Sequence, residues 1–204
     1  MRMARGRGPF AGGLEQARRQ LIKAAEACFA DYGLTRTRMD DVARRAGVSR
    51  PTVYRYFRDR DALVAAVIER RATRFAARAR EYIGQFPEFA DKVVEGLAFA
   101  IAAGRGDEIV SKLVEPESLS LATDVLTGSN FAQELTDELW RPIFEAAQSA
   151  GQMRPELDPF EISSWFSDIE LMLVGRPDLV DAGDTDFRET IRHFVLPALL
   201  PDVG

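Results

Sequence analysis

The sequence predicts an all-α protein of about nine helices, and three observations carry that prediction. Apolar residues recur at spacings of three and four, with no strict alternation that would build a strand. Glycine and proline interrupt this periodicity at intervals: Gly33, Gly47, Gly84, Gly104, Gly128, Gly151, Pro155, Pro159, Gly175 and Gly183. The composition, 46% hydrophobic and 29% charged over 204 residues, is that of a chain able to bury a core.

Charge then divides the chain. The net charge is -5, which taken whole argues against a polyanionic partner. Residues 1–80, however, hold 19 Lys and Arg against 8 Asp and Glu, a net of +11, whereas residues 81–204 hold 8 against 24, a net of −16. Such polarity points to two functional units, one facing a polyanion. One cysteine, Cys28, excludes an internal disulfide framework and a cysteine-based zinc site. The longest apolar run, Leu97–Ala103, is far short of a membrane span. Met1–Gly13 carries Arg2, Arg5 and Arg7 without the apolar core of a secretory signal. A cytoplasmic protein with a flexible basic arm over residues 1–13 and no membrane partner is expected.

The first helix is predicted over Leu14–Tyr32, with Leu14, Ala17, Leu21, Ala25, Cys28, Phe29 and Tyr32 as its apolar stripe and Gly33 as its stop. Cys28, within that stripe, reads as a buried structural thiol. The second helix is expected to start at Thr37, whose hydroxyl has capping-box-like spacing to Asp40, and to stop at Gly47. Met39, Val42, Ala43 and Ala46 form its apolar face. Ser49 caps a short third helix with Pro51 in its first turn, where a missing N–H is harmless. Asp59 caps a fourth helix reaching about Ile83. Beyond Gly84, helices are predicted at Glu88–Ala103, Glu108–Thr127 with a possible break at Pro116, Asn130–Gly151, Pro159–Val174 and Asp186–Leu200.

The most informative stretch is Thr37–Leu63. Ala43, Gly47 and Val53 have the spacing Ala-x3-Gly-x5-Val. The small Ala43 lets the third helix pack closely, Gly47 permits positive φ at the turn, and Val53 plugs the small core. Together they specify a helix-turn-helix, whose second helix enters a major groove of DNA. Its outward residues suit that task. Arg50, Thr52 and Arg55 can reach base edges or phosphates, and Tyr54 and Tyr56 offer hydroxyls to phosphates. Thr37 and Arg60 sit at helix N-termini that favour a phosphate. With Ser49 and Pro51, which open the reading helix, these form the candidate DNA-binding set. The expected organisation is a DNA-binding domain over 14–60 and an effector-binding and dimerisation domain over 61–204.

The run Ala46–Leu63, AGVSRPTVYRYFRDRDAL, resembles the DNA-binding domain of the TetR (tetracycline-repressor) family of bacterial transcriptional regulators. Tyr54, Phe57 and Leu63 match the family pattern. Pro51 stands where a glycine is common, and Arg60 where a lysine is. The match covers about residues 14–65. Beyond it, only the helical layout and the runs Gly151–Asp158 and His193–Leu200 are similar. The resemblance implies an all-helical homodimer, DNA bound through helices one to three, and a larger C-terminal domain that dimerises and binds a small effector. Most such proteins are repressors released by their ligand.

The C-terminal half supports this on its own terms. Ile162, Trp165, Phe166, Ile169, Met172 and Leu173 form one stripe, which Leu171 and Val174 broaden. Phe187, Ile191, Phe194, Val195, Ala198 and Leu199 form another. Faces this broad call for more partners than one core supplies. They suggest a dimer bundle, with Ser164, Ser167, Leu171, Phe187, Ile191, Phe194 and Val195 as candidate interface residues; the alternative is an internal core in a monomer. Phe99, Leu113, Leu121, Trp140, Phe144, Trp165, Phe166 and Met172 are candidate lining for an effector cavity. Few charges interleave them, so an apolar effector is expected.

No cofactor or metal motif is apparent. His193, the single histidine, reads as structural or interfacial, and Asp178, Asp181, Asp184 and Asp186 as a solvated loop. The expectation is a ligand-responsive, dimeric, sequence-specific regulator, a repressor released from a near-palindromic operator by its effector. A small-molecule-binding protein or enzyme with an incidental basic hairpin is the alternative; the lack of a catalytic constellation counts against it.

Overall fold

A computed structural model of the chain describes residues 13–113, 131–176 and 185–201, and every regular element among them is helical. The chain divides into two compact units, Met1–Ile68 and Glu69–Gly204.

The first unit contains α1 (Gly13–Tyr32), α2 (Met39–Ala46), α3 (Arg50–Tyr56) and the opening turns of α4 (Arg60–Ile83). Helix α1 packs on α2, and α2 on α3. Ala17, Leu21, Ala25, Cys28 and Phe29 are buried as the periodicity predicts, joined by Ile22. The predicted stripe is too long at both ends: Leu14 is 73% and Tyr32 43% exposed. Helix α1 is roughly 30 Å long and α2 only about 12 Å, so so short a neighbour cannot cover both ends. Gly33 ends α1 with φ 81°, its N–H donating to the Phe29 carbonyl at 2.9 Å.

The cap of α2 is not Thr37. Arg38 is the N-cap residue, and its N–H donates to the Asp41 carboxylate at 3.0 Å. Gly47 closes α2 in the left-handed region at φ 67°, and the Val48 N–H returns to the Ala43 carbonyl at 3.0 Å. Val53 and Phe57 are buried beneath α3. Asp59 caps α4 by accepting from the Ala62 N–H at 2.8 Å. The division expected after residue 60 falls in the first turn of α4. The compact unit continues to Ile68, and Leu63, Val64 and Val67 are buried.

The second unit holds α5 (Phe89–Gly106), α6 (Glu108–Leu113), α7 (Phe131–Ser149), α8 (Pro159–Gly175), α9 (Thr185–Thr190) and α10 (Leu196–Leu199). Helix α8 packs on both α5 and α7. Asp107 caps α6 through the Ile109 N–H at 2.9 Å, and Asp158 caps α8 through the Phe160 N–H at 2.8 Å. The core is aromatic. Trp140 stacks on Phe144 at 5.6 Å, and both meet Phe166 edge-on, at 5.0 and 5.5 Å. Gly96 makes this possible, because a Cβ there would stand 2.4 Å from the indole. The helix expected over Glu108–Thr127 is described only as far as Leu113.

The last predicted helix, Asp186–Leu200, is not continuous. A π-helical turn, Ile191–Val195, separates α9 from α10. Pro197 has no N–H for the His193 carbonyl, and the widened turn lets the Leu196 N–H reach Ile191 instead. Among the described residues, no helix is long and apolar enough to cross a membrane.

Candidate nucleic-acid interface

Helix α3 presents the candidate residues as a surface. Ser49, Arg50, Pro51, Tyr54 and Arg55 are exposed, Thr52 and Tyr56 half-buried, and Val53 points to the core. Ser49 and Thr52 share a hydrogen bond between their hydroxyls at 2.9 Å. The Arg50 guanidinium donates to Asp40 at 3.1 Å and to the Tyr54 hydroxyl at 3.4 Å, and lies 5.4 Å from the centre of the Tyr54 ring. The bond to Tyr54 and the charge of Asp40 raise the pKa of Arg50. Arg55 lies 5.3 Å over Tyr56. These contacts hold long side chains in defined positions without covering them.

Two members of the set are tied to backbone carbonyls. Thr37 is buried; its hydroxyl sits 2.8 Å from the Gly33 carbonyl and 3.1 Å from that of Cys28, between which it donates. It ties the end of α1 to the start of α2, where a phosphate cannot reach the hydroxyl. Arg60 donates through Nε to the Thr37 carbonyl at 3.2 Å and through Nη2 to the Leu34 carbonyl. Its partly exposed guanidinium braces the α1–α2 connection. Both residues hold the reading helix's platform in shape.

Arg36 and Arg38 were not anticipated, and Asp40 was expected only as a capping-box partner of Thr37. With Arg50, Tyr54, Arg60 and their neighbours they line an open depression of about 940 Å³ at the start of α2. The spacing from Asp40 to Arg50 crosses the turn, so helical periodicity alone could not pair them.

Residues 21–67 match the family model described as bacterial regulatory proteins, tetR family. An uncharacterized HTH-type transcriptional regulator of Mycobacterium bovis is 28% identical over 135 residues, 66% of this chain and 68% of the relative. A TetR-family transcriptional regulator from Pectobacterium atrosepticum superposes with a TM-score of 0.72 at 19% identity, over 91% of this chain and 95% of that one. The transcriptional regulator FadR of Bacillus subtilis, solved in complex with stearoyl-CoA, superposes with a TM-score of 0.60 at 16% identity, over 88% and 98%.

Residues 21–67 belong to the TetR family. The chain's relatives and fold are those of transcriptional regulators.

Among the described residues, the predicted effector set is partly core and partly exposed. Trp140, Phe144 and Phe166 are fully buried against one another. Phe99 stacks on Tyr82 at 4.8 Å. Trp165 and Met172 are 48% and 53% exposed. Leu121 lies outside the described residues, as do the side chains of Leu113 and the acidic run Asp178, Asp181, Asp184 and Asp186. Aromatic periodicity marks core and surface alike, which is why the set divides.

Glu170 was not anticipated. It sits four residues after Phe166 on α8, which was the available signal. Its Oε1 and the Trp140 Nε1 are buried without a hydrogen-bond partner. Burial pushes the carboxyl up to about 8, against the opposing pull of the indole N–H of Trp140.

The predicted dimer set also divides. Leu171 and Phe194 are exposed, and Val195 is half-buried. Ser164 accepts from the Gln133 amide at 3.0 Å, and Ser167 is buried. Phe187 and Ile191 belong to the chain's own core, contrary to the expectation. Ion pairs orient them: Arg188 grips Glu95 through two bonds of 2.8 and 2.9 Å, and Arg192 reaches Asp91 at 3.1 Å. These clamps turn the intervening face of the last helix inward onto α5. His193 is exposed, with Nδ1 2.8 Å from the Glu189 carbonyl.

Proposed function

We propose that this chain is a cytoplasmic, dimeric, sequence-specific DNA-binding repressor that leaves a near-palindromic operator when a small apolar effector binds. The observation that carries the reading is the outward face of α3, where Arg50, Thr52, Tyr54 and Arg55 stand on a helix anchored by Val53. Arg50, Thr52 and Arg55 read bases, while Tyr54 and Tyr56 hold phosphates. The net +11 of residues 1–80 supplies the sequence-independent attraction.

Exposed Trp165, Leu171, Met172 and Phe194 support a homodimer made through the last helices. Two reading helices would then sit about 34–36 Å apart in successive major grooves. The effector acts in the unit beyond Ile68. It shifts α4, and a coupling of about 1–3 kcal/mol is enough to release the operator. The fold shared with FadR, whose structure holds stearoyl-CoA, makes long-chain acyl compounds the first probes. This reading assigns no catalytic role.

The test is selection from a randomised duplex pool by the full-length chain, followed by gel shifts at graded salt. Enrichment of a sequence with two half-sites one helical turn apart is expected. Retention of the pool without enrichment, or of nothing, overturns the reading.

A further inference from the structure

We propose that Asp40 is a specificity-determining residue: it parks the Arg50 guanidinium so that Arg50 reads a base edge and does not grip phosphates indiscriminately. The inference rests on the reading that α3 enters the major groove.

Asp40 lies in the first turn of α2 and Arg50 at the first residue of α3. The turn around Gly47 brings them together, with Arg50 Nη1 donating to Asp40 Oδ2 at 3.1 Å. Arg50 Nη2 reaches the Tyr54 hydroxyl at 3.4 Å, and the Tyr54 ring lies 5.4 Å from the guanidinium carbon. Three contacts on two helices therefore define where the guanidinium lies. Half of each side chain remains accessible, 59% for Arg50 and 48% for Asp40. The pair is thus held but not sealed, and an incoming acceptor can replace either contact.

A carboxylate in the first turn of α2 suits the helix N-terminus, but on the face that meets DNA it also opposes phosphates. Asp40 shares its depression with Arg36, Arg38, Arg50 and Arg60. Every phosphate that approaches is repelled by Asp40, whatever the sequence. Asp41, its neighbour, has a local task, accepting from the Arg38 N–H at the cap of α2. Asp40 is not used in that way; its described partner is the arginine of the reading helix.

Arginine carries five N–H donors in a rigid fork. With one edge on Asp40, the remaining donors stay available for the paired O6 and N7 acceptors of a guanine. An unrestrained arginine in this position would sweep across nearby phosphates, adding affinity for any duplex. Asp40 exchanges that general affinity for a fixed approach to one base pair in each half-site.

The experiment uses the full-length chain and two probes: a short duplex of random sequence, and the best duplex that the wild type selects from a randomised pool. Binding is measured at several salt concentrations for the wild type, Asp40→Asn, Arg50→Ala and the double variant. Asp40→Asn should bind the random duplex about three- to tenfold more tightly, with a log–log salt slope steeper by about one phosphate contact. Its preference for the selected duplex should fall about tenfold, with base choice relaxed at one position per half-site. The double variant should bind random duplex as Arg50→Ala does, because the gain requires Arg50.

Unchanged random-duplex binding and unchanged preference in Asp40→Asn overturn the proposal. A gain that persists in the double variant also overturns it, since Asp40 then acts by general repulsion alone. If the wild type itself selects no sequence, the reading of α3 fails first and this inference with it. Thermal melts of each variant separate these outcomes from loss of fold, and an exposed Asp40 predicts little change.

Discussion

The two compact units hold their helices together by different means. In Met1–Ile68 the interior is made of small and aliphatic side chains, Ala17, Leu21, Ala25, Val42, Ala43 and Val53, with Phe29 and Phe57. Its inward polar contacts go to backbone carbonyls at helix ends, Thr37 to Gly33 and Cys28, and Arg60 to Leu34 and Thr37. Its ion pairs between helices, Arg45 with Asp31 and Arg50 with Asp40, are exposed. In Glu69–Gly204 the interior is a set of interlocked rings, and charged side chains bind distant helices to each other. A headpiece that must offer a polar face to DNA cannot use that face for stability, so its helix ends are secured from within. The larger unit bears no such restriction and uses ion pairs as struts.

The contrast predicts that the two units respond differently to the same kind of damage. The largest effect is expected from Trp140→Ala, which empties the centre of the ring cluster and should cost about 3–5 kcal/mol. Urea unfolding followed by circular dichroism measures it; a loss below about 1 kcal/mol would show that the rings are not the keystone of this unit.

The next effect is a dependence on pH. The Glu170 carboxyl is raised from 4.5 to about 8 in the folded chain, so the folded state binds a proton that the unfolded state releases. Its favourable state is complete below about pH 4.5 and is lost as pH rises towards 8, by at most about 1.4 kcal/mol per pH unit. Glu170→Gln should remove that slope and be the more stable protein at pH 9. Parallel stability curves for variant and wild type would refute the assignment.

Arg188→Ala strands a largely buried Glu95 and should cost about 2 kcal/mol near neutral pH. Arg188 holds Glu95 below its ordinary range, so this contribution is present above the usual carboxylate pKa and lost as pH falls through the lowered one. The difference between variant and wild type should therefore shrink in acid, as thermal melts between neutral pH and pH 3 can check.

The smallest effect sharpens the headpiece side of the comparison. Arg60→Lys keeps the charge but loses the fork that spans two carbonyls, and should cost about 1 kcal/mol. The salt slope of DNA binding should not change. In Arg60→Gln, which removes the charge, a slope lowered by about one would return Arg60 to the phosphate contacts.

These expectations separate what could be seen in the chain from what could not. The helix-turn-helix was legible because its determinants are neighbours: Gly47 ends α2, Val53 plugs the core, and Asp59 caps α4. The outward residues of α3 followed from the same periodicity. Thr37 and Arg60 were not legible, because a side chain at a helix start can face solvent or a passing loop. Arg60 lies 26 residues from Leu34, whose carbonyl it meets. In the second unit, apolar periodicity found α8 and the last helix but could not tell an internal face from an external one. Phe187 and Phe194 look alike along the chain; one is core and the other 79% exposed.

The sequence by itself determined the helical class, most of the helix boundaries, the turn that creates the reading helix and the division of charge. These depend on backbone preferences and spacings that act over a few residues. The tertiary structure alone decided which way polar and aromatic side chains turn. It seated Arg60 on carbonyls, joined Asp40 to Arg50, drew Phe187 and Ile191 inward beside Arg188 and Arg192, and enclosed Glu170 with Trp140. Each of those outcomes depends on a partner that only the packed fold brings within hydrogen-bond or van der Waals reach, and local spacing carries no record of it.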